Sequence, residues 1–361
     1  MKKICFFSGD ISRSGGTERV GTIIANGLSK KGYEVIILSM WNSGNPYFFV
    51  EDSIRVDSLL DPKTEGKKYR TVVYPIIKLH NYIKKNNIDI FIDIDTVLSY
   101  YTARAIRGTS CKLISWEQFN YWAMERFNEH KRYYAKRLIK KRASALVVLT
   151  DEDRIAHSKK YDLKEGFVRT INNPAMYDNE VEYNFDNKTF VSAGRLTYQK
   201  GYERLLEAWS MICREIEDWK LVIVGDGELK SSLFEKKDKL ELKNIEFKGQ
   251  VTDVEKYYKE ASAYVLSSVY EGFPMVILEA QSNGLPVIAF DCKTGPRDLV
   301  ENEKNGYLIE DGNIALFANK MLEFSKNKIK AEVMSENAKN NVKKYSLETI
   351  ISQWVSLIET I

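Results

Sequence analysis

Two acids and two cations stand out in this sequence, each pair on a short stretch marked by glycine. Glu271 and Glu279 bracket Gly272-Phe273-Pro274-Met275-Val276-Ile277-Leu278. Gly272 and Pro274 bar a helix through the start of that run, which puts Glu271 on a strand-end loop and Glu279 one or two turns into a helix opening near Pro274. The two carboxylates then face one pocket at different depths. Each carboxylate oxygen accepts more than one hydrogen bond, which suits ribose and sugar hydroxyls. The amides of Phe273 to Ile277, at the helix start, favour an anion. Glu279 could instead serve only the helix dipole, a role worth about 0.3–1 kcal/mol, but that role does not account for Glu271. Arg195 and Lys200 lie in Gly194-Arg195-Leu196-Thr197-Tyr198-Gln199-Lys200-Gly201, just past an apolar run. A forked guanidinium and a point-charge ammonium can grip a diphosphate from two directions. Solvated surface cations are the alternative, and the flanking glycines favour the ligand.

The first half offers less specific chemistry. Ser8-Gly9-Asp10-Ile11-Ser12-Arg13-Ser14-Gly15-Gly16-Thr17-Glu18 follows a strand and opens a helix. Gly15 and Gly16 let backbone amides approach a phosphate there, and a plain tight turn fits equally. The loop is not a Gly-x-Gly-x-x-Gly dinucleotide fingerprint. Asp93-Ile94-Asp95 has the form of a metal-binding Asp-x-Asp pair; acceptor contact and helix capping are its other readings, and these are preferred because the cation pair already answers the diphosphate charge. Arg126–Arg142 holds eight Lys/Arg interleaved with Tyr133, Tyr134 and Leu138. That composition suits either a solvated helix face or a basic amphipathic helix lying on an anionic membrane. No nucleic-acid-binding module accompanies it.

The elements that must position these residues are short apolar runs alternating with amphipathic stretches, the pattern of βαβ units and parallel sheets. Strands are expected at Ile4–Ser8, Glu34–Met40, Ile88–Ile94, Lys112–Trp116 and Ala145–Thr150. A second series follows at Thr189–Ala193, Lys220–Val224, Ile245–Lys248, Ala263–Ser267, Pro286–Phe290 and Gly306–Ile309. Ile171-Asn172-Asn173-Pro174 separates the two series and marks the domain junction. Ser346 can cap a last helix carrying Ile350, Trp354 and Leu357 on one stripe. In open α/β sheets ligands bind beyond the carboxyl ends of the strands where strand order reverses, and the motifs above fall at such ends.

The chain is 361 residues long, enough for two cores. It is 44% hydrophobic and 29% charged, the balance of a globular protein rather than a disordered or membrane-embedded one. No stretch approaches the roughly 18 apolar residues that span a bilayer, and the run after Met1-Lys2-Lys3 is too short for a signal peptide. Cys5, Cys111, Cys213 and Cys292 show no paired spacing, so a reducing cytoplasm fits better than a disulfide or zinc framework. His80, His130 and His157 are scattered and read as surface or helix-side residues. The net charge of +4 divides into +11 for residues 1–170 and −7 for 171–361.

Taken together the motifs resemble glycosyltransferase family 4, the retaining enzymes of the GT-B fold. The matching pieces are Gly15-Gly16-Thr17-Glu18-Arg19, Gly194-Arg195-Leu196 with Lys200-Gly201, Val224-Gly225-Asp226-Gly227, Phe247-Lys248-Gly249, Glu271-Gly272-Phe273-Pro274 with Glu279-Ala280, Gly284-Leu285-Pro286-Val287 and Gly295-Pro296-Arg297-Asp298. Their order and spacing agree over nearly the whole chain, most specifically in the second half. The resemblance implies an α/β protein of two Rossmann-like doubly wound parallel-sheet domains facing a cleft. Residues 1–172 would bind the acceptor and 173–345 the nucleotide-sugar donor, with a helix at 346–361 packing back on the first domain. It further implies that Arg195 and Lys200 contact the donor diphosphate, Glu279 the ribose and Glu271 the transferred sugar. Gly194, Phe273, Pro274, Met275 and Val276 would belong to the donor site, the loop at Val251 would hold the base, and Gly15 and Gly16 would close over the phosphate from the other domain. One departure stands out: where many relatives carry Glu-His, this chain reads Glu117-Gln118. Gln118 cannot act as a base, though it can hydrogen-bond a sugar. Glu117, Gln118, Asp93 and Asp95 are therefore the acceptor or sugar candidates.

The expected activity is retaining transfer of a hexosyl-type unit from a nucleotide sugar, UDP-linked by expectation, to a hydroxyl of a growing, lipid-linked glycan of cell-surface polysaccharide. No cofactor or metal is expected, and the location is cytoplasmic, peripheral on the membrane through 126–142. Two competing readings are a nucleotide-sugar epimerase of the same fold and a catalytically silent GT-B partner subunit. The intact Arg195, Lys200, Glu271 and Glu279 argue against the silent subunit. A nicotinamide dehydrogenase fits least, for want of the fingerprint.

Overall fold

The computed structural model describes residues 2–41, 44–61, 72–122, 130–175 and 181–361. The chain divides into two compact units, Met1–Pro174 with Leu347–Ile361, and Ala175–Ser346.

The first unit is built on seven strands: β1 (Lys3–Ser8), β2 (Glu34–Trp41), β3 (Arg55–Leu60), β4 (Ile90–Asp93), β5 (Lys112–Trp116), β6 (Ala145–Val148) and β7 (Val168–Thr170). All pair in parallel, in the order β3-β2-β1-β4-β5-β6-β7. The central strands are continuous apolar runs because helices cover both faces of a parallel sheet. Strand order reverses between β1 and β4, so the loops after Ser8 and Asp93 open at the switch point. The helix Leu347–Thr360 belongs to this unit and packs on the helix Gly16–Lys30. A Cβ at Gly27 would lie 2.3 Å from Ile351 Cδ1, so a larger residue there would have to displace the Ile351 side chain. Trp354 meets Trp116 edge to face with centroids 4.8 Å apart, and both rings are fully buried.

The second unit repeats the plan with β8 (Thr189–Ala193), β9 (Lys220–Val224), β10 (Ile245–Gly249), β11 (Ala263–Leu266), β12 (Val287–Asp291) and β13 (Gly306–Glu310). The order β10-β9-β8-β11-β12-β13 is again all parallel, reversing between β8 and β11. Phe185, Phe190, Trp209, Trp219 and Phe324 lie in its core, with Phe190 and Trp219 centroids 4.7 Å apart. The sequence pattern finds eleven of the thirteen strands among the described residues. It misses β3 and β7, the two edges of the first sheet: Arg-Val-Asp-Ser-Leu-Leu is buried only at its last two residues, and β7 is three residues long.

All four cysteines are buried free thiols. Among the described residues no helix is long and apolar enough to cross a membrane.

Candidate active site

At the switch point of the second unit, the segment after β8 and the segment after β11 are fastened together. Val269 N donates to Gln199 O at 2.8 Å, and Ser267 Oγ donates to Lys200 O at 2.9 Å. Gly201 sits so close to the segment after β11 that a Cβ would fall 2.2 Å from Ser267 O, and its φ is +62°, so glycine is required on both counts. Across this seam Lys200 Nζ lies 2.7 Å from Glu271 Oε1. Ser268 Oγ donates to the same oxygen at 2.5 Å. Glu271 is 5% exposed, and its amide is held by Lys293 O at 2.9 Å. Arg204 braces the seam from behind: its guanidinium donates to the carbonyls of Ser267 and Ser268, pairs with Asp311 at 2.8 Å and lies over the Phe290 ring. Arg195 is exposed, and among the described residues its guanidinium makes no ion pair or hydrogen bond. Gly194, just before it, is tied by its amide to Val224 O at 2.9 Å.

The helix expected near Pro274 runs Met275–Ser282 with Pro274 as its extended N-cap. Met275 and Val276 are half-exposed on its first turn, where amides precede the intrahelical ladder. Phe273 is buried against Tyr345, with centroids 5.7 Å apart. Glu279 is 5% exposed and accepts a hydrogen bond from Tyr258 Oη at 3.0 Å. Val251 is half-buried just beyond β10. The second unit thus gathers at its strand ends an exposed cation with no ion pair among the described residues, a Lys–Glu pair across the switch point, a helix N-terminus and a buried acid. Such a set can hold a diphosphate by charge and hydroxyls by carboxylate.

In the first unit, Gly15 is the extended N-cap of the helix Gly16–Lys30, with no side chain capping it. Asp93 and Glu117 turn inward, which corrects the acceptor reading for those two, whereas Asp95 fills the capping role that the sequence also offered. Asp93 is fully buried and takes hydrogen bonds from Ser99 Oγ at 2.5 Å and Thr102 Oγ1 at 2.7 Å, so it braces a neighbouring helix and offers a sugar nothing. Burial pushes its pKa up to about 7, against the pull of those two hydroxyls. Asp95 caps the following turn through Val97 N at 2.9 Å and is gripped by both Nη atoms of Arg132, at 2.7 and 2.9 Å. Among the described residues no group of three metal-ligating side chains gathers around the pair. Glu117 is also withdrawn, 1% exposed, with Thr96 Oγ1 at 2.6 Å and Lys136 Nζ at 2.5 Å from its Oε2. Burial alone would raise its pKa, but Lys136 and Arg132 outweigh burial and hold it at about 2. Gln118 is half-buried, its Oε1 3.5 Å from Asn173 Nδ2, and its Nε2 is enclosed without a protein partner.

The basic helix is corrected by the same contacts. Arg132 and Lys136 are one helical turn apart on the inner face of His130–Arg142, neutralising Asp95 and Glu117. Lys131, Arg137, Lys140, Lys141 and Arg142 remain exposed, with Tyr133 and Tyr134 among them. Arg126 and the His130 side chain lie outside the described residues. His157 is not a surface residue: it is fully buried, and burial together with Lys136 pushes its pKa well down. The sequence reading also missed Ser268, Arg204 and Tyr258. Only the placement of Arg204 two residues past Lys200-Gly201-Tyr202, close behind the cation loop, gives a signal for any of them.

Comparison with known proteins agrees with this two-part layout. Residues 177–341 match the family model for glycosyl transferases group 1, and residues 14–175 match that for glycosyltransferase family 4. An uncharacterized glycosyltransferase of Haemophilus influenzae is 31% identical over 99% of this chain and the whole of the relative. The Campylobacter jejuni α-1,4-N-acetyl-D-galactosaminyltransferase that acts on a GalNAc-GalNAc-diNAcBac-PP-undecaprenol is 27% identical over 99% of this chain and 98% of its own. Among solved structures, Anabaena HepE in complex with UDP superposes with a TM-score of 0.81 over the full length of both chains at 16% identity, a likeness of fold. Two parallel-sheet units, two adjoining family matches and a full-length relative agree: the chain is a glycosyltransferase of GT-B fold and belongs to glycosyltransferase family 4.

Proposed function

We propose that the protein transfers a glycosyl unit, with retention, from a UDP-sugar to a hydroxyl of a growing, lipid-linked cell-surface glycan. The observation that carries the reading is the Lys200–Glu271 pair across the β8/β11 switch point, with the exposed Arg195 on the same loop as Lys200. Arg195, Lys200 and the first-turn amides of Met275–Ser282 meet the charge that develops on the departing diphosphate, and removing one such preorganised donor typically costs about 3–4 kcal/mol. Glu271 faces the sugar carbon as it becomes positive. The C1–O bond to the diphosphate breaks, the bond to the acceptor oxygen forms on the same face, and the acceptor proton passes to the leaving phosphate oxygen. No side-chain base is needed, which suits Gln118. Because protein cations answer the diphosphate, the reaction needs no metal.

The first unit binds the acceptor in this reading, and the exposed cations of His130–Arg142 hold the enzyme on the cytoplasmic face of an anionic membrane. Support for UDP comes from the UDP-bound HepE, and for a lipid-linked acceptor from the Campylobacter relative. The test is incubation with a panel of nucleotide sugars, with and without EDTA, following released nucleotide and the anomer of the product by NMR. EDTA-resistant release of UDP with an α-product from an α-donor supports the reading. Release of another nucleotide, inversion, or strict dependence on added Mg²⁺ or Mn²⁺ overturns the corresponding part.

A further inference from the structure

The hydroxyl of Tyr258 ends on a carboxylate the chemistry needs. Tyr258 is fully buried on the short helix Glu255–Lys259, which follows β10 and the Gly249–Val251 loop. Its Oη donates to Glu279 Oε2 at 3.0 Å. The ring is clamped edge-on by Tyr264, with centroids 6.0 Å apart and planes at 69°. Tyr264 is itself fixed, donating to Ala193 O at 3.0 Å and accepting from Ala193 N at 3.3 Å. Two enclosed tyrosines therefore connect the end of β8, where the Gly194-Arg195 loop begins, to the buried acid on Met275–Ser282. From the other side, Asn283 Nδ2 holds Glu279 O at 2.9 Å.

A carboxylate with one oxygen pinned has lost the rotation of its terminal torsion, so its remaining acceptor directions are set before any ligand arrives. We infer that Tyr258 is a positioning residue that orients Glu279 toward a ribose hydroxyl and so gives the site its preference for ribonucleotides over 2′-deoxyribonucleotides, an inference resting on Glu279 as the ribose contact. A purely structural Tyr258 would stabilise the unit without favouring one nucleotide over another. The positioning role acts only where a 2′-hydroxyl is present.

The experiment is calorimetric titration of the full chain and its Tyr258→Phe variant with UDP, 2′-deoxy-UDP and inorganic pyrophosphate, with melting temperature recorded for each. The expected result is a wild type that prefers UDP over 2′-deoxy-UDP by tenfold or more. Tyr258→Phe should then lose about tenfold in UDP affinity, as befits one hydrogen bond to a charged group, keep pyrophosphate within about twofold, and bind the two nucleotides nearly alike. In a Glu279→Gln background the Tyr258→Phe change should add nothing to the loss. A variant that keeps the wild-type UDP preference, or weakens all three ligands equally, overturns the inference and leaves the ribose reading standing. Additive losses in the double variant also overturn it. A wild type that binds UDP without preferring it to 2′-deoxy-UDP, or does not bind UDP, overturns the ribose reading and the inference with it.

Discussion

The two units share a strand order and a switch point, yet they use charge at their strand ends in opposite ways. In the first, Glu117 is closed in and Asp95 is covered on one side, both by cations from the inner face of His130–Arg142, while Asp93 is closed in on the hydroxyls of Ser99 and Thr102. In the second, Lys200 of the Lys200–Glu271 pair is partly exposed, and Arg195 is exposed with no ion pair among the described residues. One topology therefore supports both an internal ionic brace and a presented charge set. Which of the two results depends on whether a following helix supplies cations to cover the acids.

The largest effect that would test this contrast is on stability. Replacing Lys136 by Met leaves Glu117 charged in a closed site and should cost about 3–5 kcal/mol in urea unfolding. Lys200→Met, at a pair with the lysine 18% exposed and the acid still bonded by Ser268, should cost less, about 1–3 kcal/mol. Equal losses would erase the distinction between brace and site.

The second test is pH. The folded-state pKa of Asp93 is raised to about 7, so the native state holds a proton that the unfolded chain releases near pH 4. Its contribution to stability is thus fully present at low pH and is lost as pH rises from about 4 to 7, with each pKa unit worth about 1.4 kcal/mol. Asp93→Asn should flatten the stability profile over that window. Glu117 carries the opposite sign: held at about 2, it contributes above its unfolded value and loses that contribution as pH falls below about 4.5. An unchanged profile in Asp93→Asn would show that its carboxyl stays ionised in the fold.

Turnover comes next. Glu271→Gln should leave UDP affinity nearly intact while cutting kcat about 10²-fold, or roughly 2.7 kcal/mol. Glu279→Gln should mainly raise KM, because a contact made equally before and during reaction is uniform binding. If Glu271→Gln instead lost UDP and kept its kcat, the two acids would exchange roles. A smaller effect is expected at Arg195, where replacement by Ala should weaken UDP about tenfold and leave the melting temperature unchanged, since the side chain is exposed. The smallest concerns the outer face of the basic helix: Arg137, Lys140 and Lys141 together replaced by Gln should reduce salt-sensitive binding to anionic vesicles. Equal partitioning of wild type on neutral and anionic vesicles would remove that role.

The sequence shows the second unit more clearly than the first, for a physical reason. A cation placed directly after an apolar strand and between glycines has few structural uses, so Arg195 and Lys200 are conspicuous. The inward acids of the first unit look the same in sequence as acids that face a ligand. The difference lies in the rotation of His130–Arg142 about its axis, which places Arg132 and Lys136 inward beside Ala135 and Ile139. Their four-residue spacing is legible, but the acids they pair with lie 15 to 37 residues earlier in the chain. Edge strands β3 and β7 escaped notice because an edge need not be apolar on both faces. Tyr258 escaped because a buried tyrosine on a short polar helix gives no sign of where its hydroxyl ends.

Leu347–Thr360 also governs the order in which the molecule can be made. Translation delivers the whole of Ala175–Ser346, a contiguous unit, before the helix whose Trp354 closes over Trp116 and whose Ile351 seats on Gly27. On the ribosome the first unit must therefore wait, with an apolar face uncovered, while the second completes itself. The earlier-synthesised half is the later one to mature, and its exposed interval lasts as long as about 170 residues take to emerge, on the order of 10–30 s at typical rates of 5–20 residues per second.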